Sequence, residues 1–333
     1  MRLMLLCPGR GSYQRDQLGS LPSESAVLDQ LDAYRASLGR PTLREMDGAE
    51  RFSGRTHVAG ENASILTFGA TLADLEFLRS GEIVCVGGNS MGWYTALHAA
   101  GALELADAAR LVETMGAWQA GNIVGGQVLY PVAGEDWTLD EGLVAAVETA
   151  LEHPDVHLSI RLGGTAVLAG TTEAVRWLLA EMPKVGRGQR SFPLQLPLHS
   201  AFHTPLMAET SQKARHELAD LPFRAPRITL VDGSGRCHRP HADPHVIAAW
   251  TLGAQVTDTF DLSLCVQAAM GEFAPEAVLL PGPGDTLGAP VGQALIDCGW
   301  RGLRDKQDFL EAQGSSSPLV LSMARPDQRA RVT

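Results

Sequence analysis

The stretch Gly88-Asn89-Ser90-Met91-Gly92 constrains this chain most, because of what flanks it. Before it runs Glu82-Ile83-Val84-Cys85-Val86-Gly87, a short apolar run with the length and composition of a buried strand. After it, the residues from Trp93 to Ala100 read as a helix that stops at Gly101. A strand that turns at once into a helix around G-x-S-x-G has the form of a nucleophile elbow. The two glycines allow a tight turn and close packing of helix on strand. Ser90 is then held out into a cleft near the positive end of a helix dipole. An ordinary serine in a tight turn shows the same local pattern, so the reading depends on partners elsewhere in the chain.

The surrounding pattern suits such an elbow. Residues 3–7 read as a first buried strand, closed by Pro8-Gly9-Arg10-Gly11-Ser12. Segments 23–38 and 63–79 have helical periodicity, and helices 93–100 and 105–119 follow the strand at 82–87. This alternation predicts a parallel sheet covered by helices on both faces. Between 126 and 196 the order changes to strand 127–132, helix 139–151, strands 156–161 and 166–169, helix 172–181 and strand 191–196. Thr171 or Thr172 caps the second of these helices. That β-α-β-β-α-β order is the ferredoxin-like pattern. Segments 205–218, 227–232, 244–252, 262–270, 277–280 and 287–298 then resume the α/β alternation. The expected fold is α/β: an α/β-hydrolase-like parallel-sheet domain from 1–125 and 197–313, with a ferredoxin-like subdomain inserted at 126–196. The stretch 314–333, with Ser315-Ser316-Ser317 and three arginines, reads as a mobile surface tail.

Composition narrows the function. With 333 residues and 45% hydrophobic content the chain can bury a large core. A net charge of −11 and the lack of a long basic stretch argue against nucleic acid as a partner. The five cysteines are scattered, odd in number and form no C-x-x-C pair, which is reduced, cytoplasmic usage. The apolar start ends at Pro8-Gly9, too soon for a signal-peptide core. No apolar run approaches the ~20 residues of a membrane span.

A serine hydroxyl needs a base, most often histidine, and ten histidines are available. His203, in Phe202-His203-Thr204-Pro205-Leu206-Met207, follows the inserted segment and precedes a helix start at Pro205. A histidine at such a junction faces the cleft between domains, where sites tend to form. His199 in the same loop is the second candidate. The segment from Cys237 to His245 carries metal-ligand residue types, but its spacing matches no standard zinc pattern. It is read as a polar surface loop, and no metal is expected. Gly282-Pro283-Gly284 lacks the Lys-Ser/Thr of a phosphate loop and is read as a structural turn.

Three segments taken together, Cys7-Pro8-Gly9-Arg10-Gly11-Ser12, Gly88–Gly92 and Phe202–Met207, resemble the malonyl-CoA:acyl-carrier-protein transacylase family in order and spacing. That family includes the acyltransferase domains of fatty acid and polyketide synthases, and the resemblance spans roughly residues 2–300. It implies that Ser90 takes an acyl group from coenzyme A and that His203 acts as base, then as acid. It implies an oxyanion hole from the backbone N–H groups of Arg10 and Met91, and a backbone carbonyl near 255–257 that orients the histidine. The implied partners are an acyl-CoA substrate and an acyl carrier protein, with no metal or redox cofactor and a monomer in the cytoplasm. Lys184, Arg187 and Arg190 form either a solvated turn or a basic patch for the carrier or for coenzyme A phosphates.

The chain departs from the family where malonate is gripped. Malonyl-selective members carry an arginine in R-L-V-x-x-R-G; the corresponding position in Arg110-Leu111-Val112-Glu113-Thr114-Met115-Gly116 is Met115. Asn89 replaces the histidine of G-H-S-x-G, Trp93 the residue after the elbow, and Arg10 the glutamine of P-G-Q-G. Asn89, Trp93 and Met115 are therefore the expected substrate-contacting residues. An unpaired carboxylate in a dry pocket is costly, so either Met115 marks a site for acetyl or other neutral acyl groups, or Arg10 supplies the missing cation for malonyl. Hydrolysis of the acyl-serine is a third outcome, and a non-catalytic carrier-binding module a fourth.

Overall fold

A computed structural model describes residues 1–118, 122–188 and 190–333. Gln119, the last residue of the helix expected at 105–119, lies outside them; the observed helix is Leu105–Ala117.

The strands in chain order are β1 (Arg2–Cys7), β2 (Glu82–Gly88), β3 (Gly126–Pro131), β4 (Val156–Leu162), β5 (Thr165–Gly170), β6 (Val185–Arg187), β7 (Arg190–Phe192), β8 (Leu194–Gln195), β9 (Thr229–Val231), β10 (Cys237–His238), β11 (Phe260–Asp261), β12 (Ala277–Leu280) and β13 (Val320–Ser322). The larger sheet runs β10-β9-β2-β1-β12-β13. All its neighbours are parallel except the antiparallel pair β9–β10. β1 is buried over its last five residues, as expected of a strand covered by helices on both faces. Helices Gly60–Leu75 and Leu105–Ala117 pack with Gly92–Ala99 over one face. Helices Leu262–Phe273 and Gly288–Asp297 cover the other.

The smaller sheet runs β11-β4-β5-β3-β8. Its antiparallel core β4-β5-β3-β8, with helices Glu141–Leu151 and Thr172–Glu181, has the ferredoxin-like order expected from the sequence. Thr171 is the cap of the second helix, its hydroxyl accepting from the Ala174 N–H at 3.2 Å. The final strand expected at 191–196 is divided. β7 pairs with β6 in a separate hairpin and only β8 joins the sheet. Pro193, which has no N–H to donate to a ladder, stands between them. β11, from much later in the chain, adds parallel to β4 at the opposite edge.

Two expectations are corrected. The stretch 314–333 is not a mobile tail. β13 pairs parallel to β12 as the sheet's last strand, and Leu319, Val320, Leu321, Met323 and Val332 are buried. Val332 O also accepts from the N–H groups of Arg79 and Ser80, at 2.8 and 3.0 Å. The segment from Cys237 is likewise not simply a polar surface loop, because it begins as β10. His238 there is buried, with Nε2 2.7 Å from Asp232 Oδ2, and its ring is tilted against Trp93. Among the described residues no group of three or more His, Cys, Asp or Glu side chains is arranged to hold a metal. Among the same residues no helix is long and apolar enough to cross a membrane.

Candidate active site

The elbow forms at the end of β2. Ser90 has φ of 53°, in the left-handed region, and helix Gly92–Ala99 starts two residues later. The glycines on either side are needed for space. A Cβ on Gly92 would stand 2.3 Å from Cys7 O, and one on Gly88 would stand 2.1 Å from Gly92 O. β1, β2 and the helix therefore converge with only backbone between them, and Ser90 absorbs the strain of the turn.

His203 meets the serine from across the cleft. Ser90 Oγ lies 2.8 Å from His203 Nε2. His203 Nδ1 lies 2.7 Å from the Gln255 carbonyl oxygen, which fixes the tautomer: Nδ1 donates, leaving Nε2 to accept from the serine. His203 also has positive φ, 61°, and its backbone N–H donates to Val256 O at 2.9 Å. Side chain and backbone are thus both tied to 255–256. Burial pushes the imidazole down to about 4, partly offset by the Gln255 carbonyl, so at neutral pH it is unprotonated and Nε2 is free to take a proton.

These two residues open into a cavity of about 430 Å³ between the two sheets, lined among others by Arg10, Asn89, Met91 and Met115. A larger cavity, about 620 Å³, lies between helices Glu141–Leu151 and Leu262–Phe273, away from Ser90, and no histidine lines it. Met115 is buried in the wall beside Val112. Met91 follows the serine at the N-terminal end of the helix, where a backbone N–H is well placed to meet developing negative charge. Trp93 is corrected: it does not line the cavity. It is fully buried, and its Nε1–H donates to Thr251 Oγ1 at 2.9 Å. Successive helical residues point about 100° apart, so the neighbouring Tyr94 faces the cavity in its place.

Arg10 turns toward the loop before His203, donating to Leu198 O at 2.7 Å and to His199 Nε2 at 3.2 Å. Burial lowers its guanidinium to about 10. His199, the second candidate base, is held down to about 3 by burial and the adjacent Arg10 charge, and it accepts from Arg10 while His203 faces Ser90. Arg110 is outside the cavity, paired in bidentate fashion with Asp220 on the surface. Of the basic patch only Arg190 lines the cavity. Lys184 donates to Leu179 O, and Arg187 to Ala133 O at 2.5 Å.

Sequence reasoning reached the 255–257 segment only for a carbonyl and passed over four other contributors. The Gln255 side chain donates from Nε2 to Ser90 O at 2.8 Å, so one residue holds both members of the pair. Gln127 donates from Nε2 to Ser159 Oγ at 2.8 Å, and Ser159 donates to Phe202 O at 2.8 Å, steadying the loop that carries His203. Ser64 and Tyr94 complete the wall. Apart from Tyr94, on the elbow helix itself, these residues come from segments distant in sequence that the fold brings together.

No family model matches the chain. It is 28% identical over 231 residues to the malonyl CoA-acyl carrier protein transacylase of Escherichia coli (strain K12), an alignment covering 68% of this chain and 72% of that one. It is 28% identical over 232 residues to a phenolphthiocerol/phthiocerol polyketide synthase of Mycobacterium tuberculosis (strain ATCC 25618 / H37Rv), covering 67% of this chain and 14% of that protein. The crystal structure of the malonyl-CoA:ACP transacylase of Synechocystis sp. PCC 6803 superposes with a TM-score of 0.76 at 18% identity, covering 99% of this chain and 100% of that one. The last match establishes a shared fold. The names these relatives carry are those of the family that the motifs resemble.

Proposed function

We propose that this chain transfers an acyl group from coenzyme A to the thiol of an acyl carrier protein through an acyl-Ser90 intermediate. The observation that carries this reading is the Ser90 Oγ–His203 Nε2 contact at 2.8 Å in a cavity between the two sheets. His203 Nε2 takes the serine proton as Oγ attacks the thioester carbonyl. The carbonyl electrons pass to oxygen, and the backbone N–H groups of Arg10 and Met91 are assigned to stabilise that oxyanion. As the C–S bond breaks, His203 returns the proton to the departing sulfur and free coenzyme A leaves. The second half runs in reverse: the carrier thiol gives its proton to His203, its sulfur attacks the acyl-serine, and Ser90 regains the proton as the C–O bond breaks. The residues do this without a metal or redox group taking part.

We read 1–125 and 197–333, with β13 included, as the catalytic domain and 126–196 as an inserted subdomain. In support, residues from Val128 to Met182 form a hydrophobic cluster of their own. The chain is placed in the cytoplasm as a monomer. Five free cysteines, three of them buried, suit a reducing compartment.

The names of the relatives point first to malonyl as the acyl group. A second reading, a neutral acyl group, is favoured by Met115, which places a thioether in the wall where a carboxylate-binding arginine was expected.

Intact-protein mass spectrometry after brief incubation with acyl-CoA donors tests the reaction. An adduct of the acyl mass is expected, absent from Ser90→Ala and discharged by a phosphopantetheinylated carrier protein. Release of coenzyme A with no adduct and no loaded carrier would mean hydrolysis instead. Neither adduct nor release would leave a binding module.

A further inference from the structure

The cavity beside Ser90 is apolar over most of its wall, with Val112, Met115, Leu129 and Ile160 among its residues. Besides Ser90, four hydroxyl residues interrupt this surface: Ser12 and Thr286, which bond each other at 2.8 Å, and Tyr94 and Ser64. Tyr94 lies on the helix that begins at the elbow, and helical side chains lean toward the N-terminal end, here toward Ser90. Ser64 lies on the neighbouring helix Gly60–Leu75. Tyr94 is 5% exposed and Ser64 4%, yet neither hydroxyl hydrogen-bonds another of the described residues. Thr67 and Thr95 nearby also carry unpartnered hydroxyls, but theirs are sealed within the core, whereas Tyr94 and Ser64 border the cavity.

Both hydroxyls open onto the cavity, where water can meet them, and a ligand that displaces that water without offering an oxygen in its place gives up about 1–3 kcal/mol for each lost bond. Two such hydroxyls bordering one apolar cavity next to a nucleophile mark where a ligand atom completes the set. A hydroxyl can donate or accept, so it suits an uncharged oxygen. A carboxylate is a poorer match, since apolar walls raise the cost of a charge; of the two arginines that line the cavity, Arg10 turns its guanidinium to Leu198 and His199, and Arg190 is solvent-exposed.

Resting on the acyl-transfer reading above, we propose that the acyl group loaded on Ser90 is uncharged and carries one oxygen, as a hydroxyl or keto group, that hydrogen-bonds Tyr94 and Ser64. The substrate class is a short hydroxyacyl- or oxoacyl-CoA thioester. Burial raises the Tyr94 phenol well above its ordinary range, so it stays protonated and able to donate.

The test uses the full chain and four donors: butyryl-, 3-hydroxybutyryl-, acetoacetyl- and malonyl-CoA, with Ser90 acylation followed by intact mass. Loading of an oxygenated donor is expected to exceed butyryl by about 10-fold or more, the worth of one or two hydrogen bonds. Tyr94→Phe and, separately, Ser64→Ala should lower that ratio several-fold, by slowing the oxygenated donor more than butyryl. Thermal melts identify a variant that has lost its fold, and the other variant then carries the comparison. Butyryl loading as fast as the oxygenated donors, or malonyl loading faster than all, overturns the proposal while leaving acyl transfer standing. No adduct from any donor overturns the acyl-transfer reading and this proposal with it.

Discussion

Gln255 and His203 are joined by a 2.7 Å contact between a main-chain carbonyl and Nδ1, where many serine enzymes place a carboxylate. A carbonyl belongs to every residue type, so substitution at 255 leaves this contact in place. What substitution removes is the side-chain bond to Ser90 O. Gln255→Leu is therefore expected to slow acylation only about 3- to 10-fold, the worth of one neutral hydrogen bond. His203→Ala, which removes the base, is expected to slow it by roughly 10²–10⁴. Stopped-time mass spectrometry of the acyl-enzyme measures both. Equal losses would show that the amide, and not the carbonyl, organises the base.

Burial brings His203 down to about 4. Acylation should stay level as pH is lowered through the ordinary imidazole range near ~6.5 and decline only as pH nears about 4. Stability follows the same displacement. Between those two values the unfolded chain binds more protons at this residue than the folded one, so stability falls as pH drops from about 6.5 toward 4. A rate profile that breaks near ~6.5 in the free enzyme would contradict the burial of the ring.

Glu113 is buried between Arg35 and Arg40, with Arg35 Nη1 2.6 Å from Oε1. It lies two residues before Met115 on the helix that forms the cavity wall. Glu113→Ala leaves the fully buried Arg35 charge without its carboxylate and is expected to cost about 3–5 kcal/mol. Urea denaturation of the variant checks this, and a shift under 1 kcal/mol, within the range of an exposed pair, would mean that the pair is solvated.

Deleting residues 315–333 removes β13 and the side chains of Leu319, Val320, Leu321, Met323 and Val332. At roughly 1.5–3 kcal/mol for each buried apolar side chain, this rivals the whole stability of a typical protein, about 5–15 kcal/mol. The shortened chain is expected not to fold, as followed by circular dichroism and solubility. A soluble product with the melting temperature of the full chain would return the segment to the status of a tail.

How much of this was legible depended on the range of the signal. The elbow was legible because a strand, two glycines and a helix lie within a few residues, although the strain falls on Ser90 and not on the glycines. The ferredoxin-like order was legible because strand and helix periods alternate cleanly from 126 to 196. β13 escaped because three residues among serines and arginines show no period, and their apolar character acts only beside β12. Trp93 was misplaced because adjacency to the nucleophile in sequence says nothing of direction. One step of helical rotation sends it to Thr251 and turns Tyr94 to the cavity. Gln255, Ser159 and Ser64 reach the site only through tertiary packing, which no local pattern encodes.

The late strand β11 follows Gln255 by only five residues and sits in the smaller sheet beside β4. The strip of chain that orients the base therefore ends as a splice into the other wall of the cleft. The position of the base is thus tied by a short run of main chain to the position of the smaller sheet.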